Sequence, residues 1–487
     1  MSKVKWILLF TAILLVGVLA STLSVVPLLA VVTLAVAAAV LVMDYEKATL
    51  LVALYTAVEF LLRQVLGRPI SQLLSLFGKN AYFDFIAVKS VSSLAISSYW
   101  DELAMLACFG IWFYKWLRHR QEKPLRKTPL DVSLILFMGV GLVLLFAVAP
   151  DMTIGVEGLR VVIQYMLWFF VVTQLLRSPE GAKRLLNILV LTGFMVALYG
   201  VYQFAIAVNV PAHWTDLKEG YVRTRVFSIF TTPNMLAGYL TLLIPIAVGL
   251  FMADKSKPRK VYYAGAVAIM SLCLLFTMAR QGWIVFGISL IVYVWFKNKK
   301  LLLPALLGVV ALFVFCIFFL PSVSSRILYL LSPDYIASSM KGGRILRWTE
   351  ALNLFGQNFW TGMGLGQYGG SVALSHKLNN SPSLDNYYLK TAVEMGIFGI
   401  SALLMLIYSL IAWCARGVAK IQDHAQKDWS IGILAGLVGV ILFNFTENML
   451  EIPLISSYFW MAAGVVMFLA YGQPVTRDLQ QGQEGQG

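Results

Sequence analysis

Arginines that interrupt apolar sequence are the first candidates for chemistry. Two of them precede an apolar run, one falls in a very short polar turn, and two open an amphipathic stretch: Arg223, Arg225, Arg280, Arg344 and Arg347. A guanidinium group binds phosphate oxygens through two parallel hydrogen bonds. Together these arginines predict an anion site, and a pyrophosphate at a membrane surface fits it. Taken singly, each is equally explained by a side chain that extends to lipid headgroups.

Asp385 and Asn386 form a second candidate group, with Glu394 further along the same apolar run. A carboxylate at the start of a helix could cap the helix, or it could accept a proton from a hydroxyl nucleophile. Glu394 lies about two turns inside the run. A charge at that depth needs a partner, and one of the arginines above is the expected partner.

The composition determines what kind of protein must position these residues. The chain has 487 residues, of which 59% are hydrophobic and 13% charged, and the mean hydropathy is +0.78. Soluble domains are about 45–50% apolar and about 25% charged. This excludes a soluble globule and a disordered chain, and it predicts an all-α polytopic membrane protein.

Apolar runs of membrane-spanning length predict about 12–14 transmembrane helices, because about 20 residues are needed to cross the hydrocarbon. They fall at 6–21, 24–43, 48–66, 100–117, 130–149, 158–176, 185–208, 233–253, 261–277, 282–296, 301–320, 388–413, 430–446 and 453–471. The predicted organisation is transmembrane helices with short loops over 1–320, a large extracytoplasmic loop over 321–387, C-terminal transmembrane helices over 388–472 and a disordered cytoplasmic tail over 473–487.

The distribution of charge predicts the orientation. The net charge of +14 comes mainly from short basic loops such as 255–260 and 297–300, which share one side when the N-terminus is cytoplasmic. This accounts for the basic balance without nucleic acid, so no nucleic-acid partner is expected. The arginines, Asp385 and the large loop then face outward, and the apolar positions 345, 348, 352 and 355 of that loop predict one helix face against the membrane or the bundle.

A series of short motifs resembles a known family. In order they are RVFSIF (225–230), PNMLAGY (233–239, with Asn234), ARQG (279–282), GR (343–344) with Trp348, GMGLG (362–366), and DNYYL (385–389) followed by EMGIFG (394–399). This order, over about 220–400, resembles the O-antigen ligase/Wzy polymerase superfamily, with the teichuronic acid polymerase (TuaE-like) type as the nearest match. The glycine motif itself lacks the lysine of a nucleotide-binding loop and predicts a tight turn.

The resemblance implies a GT-C-like membrane glycosyltransferase whose donor is an undecaprenyl-pyrophosphate-linked glycan, without a metal or other cofactor. It implies that Arg225 and Arg280 bind the donor pyrophosphate and that Arg344 belongs to the same site. Asp385 stands where many ligases have the histidine of a His-Asn pair that activates the acceptor. This departure leaves the base open among Asp385, Glu394 and, in reserve, His376.

The preferred interpretation is a polymerase of a capsule, O-antigen-like or teichuronic acid-like polysaccharide. It would act at the outer face of the cytoplasmic membrane, with membrane lipids and polysaccharide-assembly proteins as further partners. The alternatives are a ligase that transfers a lipid-linked glycan to a lipid or protein acceptor, a lipid-glycan flippase or transporter, and a structural assembly subunit. A flippase should show a continuous charged path through the bilayer.

Overall fold

A computed structural model describes residues 125–209, 224–319, 332–341, 343–378 and 383–472, together with positions 117 and 324. The four predicted spans before position 118 lie outside the described residues, apart from that single position. Within the described part the chain is helical and contains no strand. Its helices, numbered in chain order, are α1 Asp131–Val148, α2 Met152–Ile163, α3 Leu167–Leu175, α4 Pro179–Ala205, α5 Pro233–Ala253, α6 Lys257–Phe276, α7 Arg280–Lys297, α8 Leu302–Phe319, α9 Pro333–Met340, α10 Arg344–Gln357, α11 Ser371–Ser375, α12 Tyr387–Lys420, α13 His424–Phe443 and α14 Pro453–Tyr471.

Eight stretches of the described chain are helical, long and apolar enough to cross a membrane. They are α1, the nearly continuous α2–α3 segment Met152–Leu175, α4, α5, α6, α12, α13 and α14. Helices α7 and α8 occur where further spans were predicted. The all-α polytopic membrane class is therefore confirmed.

Several predicted boundaries need correction, because α4 and α13 begin six residues earlier than predicted and α12 ends seven residues later. The span expected at 158–176 begins at Met152, because Asp151 caps the helix through bonds from the backbone N–H groups of Thr153 and Ile154. This segment also tightens into a short 3-10 turn at Gln164–Met166. Arg280, expected in a turn, is the first residue of α7.

The described residues fall into two compact units. Gln174–Ile188 belong to the smaller unit, and Arg126–Thr173 with the described residues from Leu189 onward form the larger. The larger unit contains every described candidate residue.

Close packing of α5 on α13 forms the centre of the larger unit. Glycines on α13 allow the approach: a Cβ atom on Gly432 or Gly436 would lie 2.4 or 2.3 Å from the carbonyl oxygens of Pro245 or Leu242. Small residues let helix backbones come this close within a membrane. Helix α14 also packs in the interior, and it is buried along almost all of its length, as expected for a helix that is apolar all round.

Helix α10 confirms the predicted amphipathic helix. Ala351 is fully buried in a cluster with Tyr368 and Val393, and Trp348 and Phe355 of the predicted apolar face pack against this cluster. The other two residues of that face, Ile345 and Leu352, are 39% and 53% exposed. Part of the predicted apolar face thus packs on the bundle, and the rest is exposed.

Candidate active site

The segment that carries Arg225 is folded into the bundle by a buried glutamine. The Gln203 amide oxygen accepts hydrogen bonds from the backbone N–H groups of Phe227 and Ser228 at 3.2 and 2.7 Å, and its amide nitrogen donates to the Ser228 carbonyl. The Val226 N–H donates to the Phe276 carbonyl at the end of α6. These bonds fix the position of Arg225 beside the α6–α7 turn.

Arg225 is 7% exposed and is held on two sides. Its Nε donates to the Thr277 carbonyl at 3.3 Å, and its Nη2 donates to Asn234 Oδ1 at 3.2 Å. The Asn234 amide nitrogen in turn donates to Glu447 Oε1 at 2.6 Å. The motif residue Asn234 therefore links an arginine on one side to a carboxylate on the other.

Glu447 extends this chain of contacts to the large loop. Arg344, the first residue of α10, donates through Nη2 to Glu447 Oε1 at 3.4 Å and to the Thr446 carbonyl at 3.2 Å. Asp385 Oδ2 lies 3.6 Å from Arg344 Nε and 3.3 Å from Arg347 Nη1. Arg347 also donates to the Ser383 carbonyl.

We refer to Arg225, Asn234, Arg344, Arg347, Asp385 and Glu447 as the arginine–carboxylate cluster. It joins four separate parts of the chain at one end of the bundle, and its ionisable side chains are three arginines and two carboxylates. Arg344, Arg347 and Asp385 keep 28%, 22% and 21% of their side-chain surface exposed. A ligand can therefore reach them.

Glu447 has the most perturbed carboxyl group of the cluster. It lies in the turn after α13, and its side chain is only 12% exposed. Burial, reinforced by the Asp385 carboxylate, raises the pKa of Glu447 to about 7, although Arg344 and the Asn234 and Gln281 side chains lower it. The pKa of this carboxyl group therefore lies close to neutral pH.

The remaining predicted residues lie in different surroundings. Asn386, rather than Asp385, caps α12, since its Oδ1 accepts from the N–H groups of Tyr388 and Leu389. Arg280 is half-buried at the start of α7, three residues after the carbonyl that holds Arg225. Arg223 lies outside the described residues.

His376 does not contact the cluster. Its Nε2 lies 2.9 Å from Glu157 Oε2, and both side chains are more than a third exposed. The structure therefore separates the reserve candidate for the base from Asp385 and Asn386.

Glu394 belongs to a second charged group, the buried triad of Lys390, Glu394 and Glu451. Lys390 Nζ lies 2.7 Å from Glu394 Oε2 and 2.6 Å from Glu451 Oε1, and no member is more than 5% exposed. The expectation that an arginine pairs with Glu394 was wrong. Its partner is instead Lys390, which lies four residues earlier on the same helix and therefore on the same helix face.

The glycine motif confirms a tight turn, and it docks onto a kink in α12. Gly396 has φ +61° and ψ −162°, which breaks the regular helix there. The N–H groups of Met363 and Gly364 donate to the carbonyls of Val393 and Glu394 at 2.8 and 3.0 Å. Gly362 also has a positive φ and lies against the Glu394 carbonyl, so a side chain there would collide with α12.

Sequence reasoning missed Glu447, Lys390 and Glu451. The polar run 444–448 between two apolar runs was the available signal for Glu447, and the spacing of four between Lys390 and Glu394 was the signal for the triad. Within the described residues, no group of three or more His, Cys, Asp or Glu side chains is arranged to hold a metal ion.

Fold and site together define a polytopic helical membrane protein with a network of arginines and carboxylates at one end of its bundle. Residues 265–404 match the Wzy_C family model, described as O-antigen ligase. This match supports the O-antigen ligase/Wzy polymerase superfamily that the motifs predicted, and with it an O-antigen ligase/polymerase-type membrane enzyme in glycan assembly. The matched region contains Arg280, Arg344, Arg347 and Asp385 but neither Arg225 nor Glu447. No curated protein matches the chain.

Proposed function

We propose that the protein polymerises undecaprenyl-pyrophosphate-linked repeat units of a cell-surface polysaccharide at the outer face of the cytoplasmic membrane. The observation that carries the proposal is the arginine–carboxylate cluster, built partly from the O-antigen ligase domain. Capsular, O-antigen-like and teichuronic acid-like glycans are the substrate classes considered, and the teichuronic acid polymerase type is the most specific form of the proposal.

The charge of the cluster supports a pyrophosphate ligand. Three arginines face two carboxylates, so the cluster keeps a net positive charge when both acids are ionised. Arg280 adds a further cation at the neighbouring turn. Guanidinium groups held in place before the reaction stabilise the charge that develops on a departing pyrophosphate. Arg344, Arg347 and Arg280 are the proposed ligands, and Arg225 supports them from the interior.

The position of the histidines supports a polymerase over a ligase of the His-Asn type. Of the two histidines in the described part of the chain, His376 pairs with Glu157, and His424 begins α13 at the opposite end of the bundle. Neither stands beside Asn386. Transfer of a finished glycan to a lipid or protein acceptor is the second candidate function.

The distribution of buried charges favours an enzyme over a flippase. Among the described residues, Lys390 and Glu394 lie within three turns of the start of α12. Two ion pairs, Asp254 with Arg259 and Asp428 with Lys297, lie at the other end of the bundle. Between these ends, the middle parts of α5, α13 and α14 bury apolar side chains. The described residues thus do not form the continuous charged path that a flippase requires.

The test is a product gel from the purified full-length protein and lipid-linked repeat units from its own host. A ladder of increasing length supports polymerisation, whereas glycosylation of an added acceptor without a ladder supports the ligase. Arg344→Ala and Arg280→Ala are each expected to lower the rate about 100-fold or more. The matched control is Arg416→Ala, which removes an arginine stacked on Trp413 near the other end of α12 and should leave the ladder unchanged. Wild-type ladders from both the Arg344→Ala and the Arg280→Ala protein would refute the pyrophosphate site, and the absence of any product would refute the glycosyltransferase.

A further inference from the structure

The Asp385 carboxylate is occupied on both oxygens. Oδ2 contacts Arg344 and Arg347, while Oδ1 accepts from the Ser383 hydroxyl at 3.1 Å. Three neighbours thus contact a carboxylate that has about four lone-pair positions. The geometry therefore fits Asp385 as the group that holds the two arginines in place.

The Glu447 carboxylate is held differently. Its Oε1 accepts hydrogen bonds from Asn234 and Arg344, and the Gln281 side chain also interacts with this carboxylate. The turn that carries it is fixed to the start of α12, since Tyr387 N–H donates to the Asn444 carbonyl and Asn448 donates to the Leu384 carbonyl, both at 2.9 Å. The Glu447 carboxylate is thus anchored inside the cluster, beside Arg344.

We propose that Glu447 accepts the proton of the attacking hydroxyl group and that Asp385 is a positioning residue. The inference rests on the proposed glycosyl transfer. The acceptor hydroxyl oxygen forms a bond to the anomeric carbon of the donor, and the bond from that carbon to the pyrophosphate oxygen breaks. The electron pair of that bond leaves with the lipid pyrophosphate. The hydroxyl proton passes to the Glu447 carboxylate and is later released to water.

The electrostatic surroundings of Glu447 suit this role. Asp385 and Arg344 face it directly, Arg225 acts through Asn234, and Gln281 lies nearby. A base works best when its pKa is close to the working pH, and the pKa of Glu447 is raised to about 7. Since the ionised carboxylate is the base, the rate should rise with pH through about 7 and level off above it.

Glu447→Gln is the decisive variant, because its amide oxygen can still accept from Asn234 and Arg344. We expect kcat to fall by about 10²–10⁴-fold with little change in KM, and the rise of rate with pH to disappear. Glu447→Asp should retain a slower, still pH-dependent reaction. The matched control is Glu157→Gln, which neutralises an exposed carboxylate outside the cluster and should keep the wild-type rate and pH profile.

The outcomes separate this inference from the proposed function. If wild type forms product while Glu447→Gln keeps kcat within about threefold and an unchanged pH profile, the inference is overturned and the glycosyltransferase stands. A loss confined to KM also overturns it, since that would show a binding role. If Glu447→Gln does not fold, the pH profile of Glu447→Asp decides: a profile without the rise near pH 7 contradicts the proposal. No product from folded wild type contradicts both proposals.

Discussion

Replacing Lys390 by methionine should destabilise the protein much more than replacing either of its acidic partners. Methionine keeps an unbranched stem of similar length, so the change removes charge and three hydrogen-bond donors with little loss of volume. It leaves Glu394 and Glu451 facing the same space, at 1% and 5% side-chain exposure. Two buried carboxylates would then lack their shared cation.

The expected cost follows from burial. Removing one partner of a buried ion pair costs about 3–5 kcal/mol, because the remaining charge is neither solvated nor paired. Lys390 serves two carboxylates, which favours the upper part of that range. Glu451→Gln removes one of two negative charges and leaves the Lys390–Glu394 pair balanced. This variant should therefore lose only about 1 kcal/mol of unfolding free energy.

The assay is thermal unfolding of the detergent-purified proteins. Lys390→Met should lower the unfolding temperature by several degrees, and Glu451→Gln should lower it only slightly. The triple variant K390M/E394Q/E451Q should recover most of the loss, since buried ionic groups can often be replaced by neutral ones at little cost. Equal unfolding temperatures for Lys390→Met and the triple variant would show that uncompensated charge is not the cause and would refute the reasoning.

Two further predictions concern the kink and the pH dependence of stability. Gly396→Ala should lower the unfolding temperature and the activity, because φ at Gly396 is +61° and the new Cβ would lie 2.4 Å from the Trp360 carbonyl oxygen. The control is Gly265→Ala, where no atom lies within 4 Å of the new Cβ. This control should be neutral or slightly stabilising. The folded-state pKa of Glu447 is raised to about 7, so its contribution to stability is complete below its unfolded-state pKa and is lost as the pH rises through about 7. The unfolding temperature should fall across that interval, and Glu447→Gln should remove this part of the fall, which a pH series of both proteins measures.

The spans were predictable where a helix carries its own start and stop signals. Helix α5 begins and ends where its apolar run does, because Thr232 caps it through the Met235 N–H, Pro233 occupies the first turn and Asp254 follows its end. The length of an apolar run and its capping residues are local properties, so the bounds of such a helix can be predicted from the sequence. The packing of α10 is not local, because the small Ala351 meets Tyr368 in the loop and Val393 on α12, which come 17 and 42 positions later.

The sequence indicated five of the six residues of the arginine–carboxylate cluster as candidates, but it indicated neither Glu447 nor the pairing of the charges. The arginines and Asp385 were found because charges next to apolar runs are conspicuous. Which charges meet depends on how separate turns come together, and Glu447 joins Arg344 across about a hundred positions of sequence. The exception is Lys390 with Glu394, whose spacing of four already placed both on one helix face.

The start of α12 connects the two charged groups. Within three turns it carries Asn386 as its cap, Lys390 and Glu394 in the triad, and the kink at Gly396 that receives the glycine loop. Glu394 also accepts the Tyr368 N–H at 3.1 Å. The loop that delivers Arg344 is thus tied by backbone hydrogen bonds to the helix that follows Asp385. A change in the triad should therefore alter the arginine–carboxylate cluster by moving the loop, without any direct contact between the two groups.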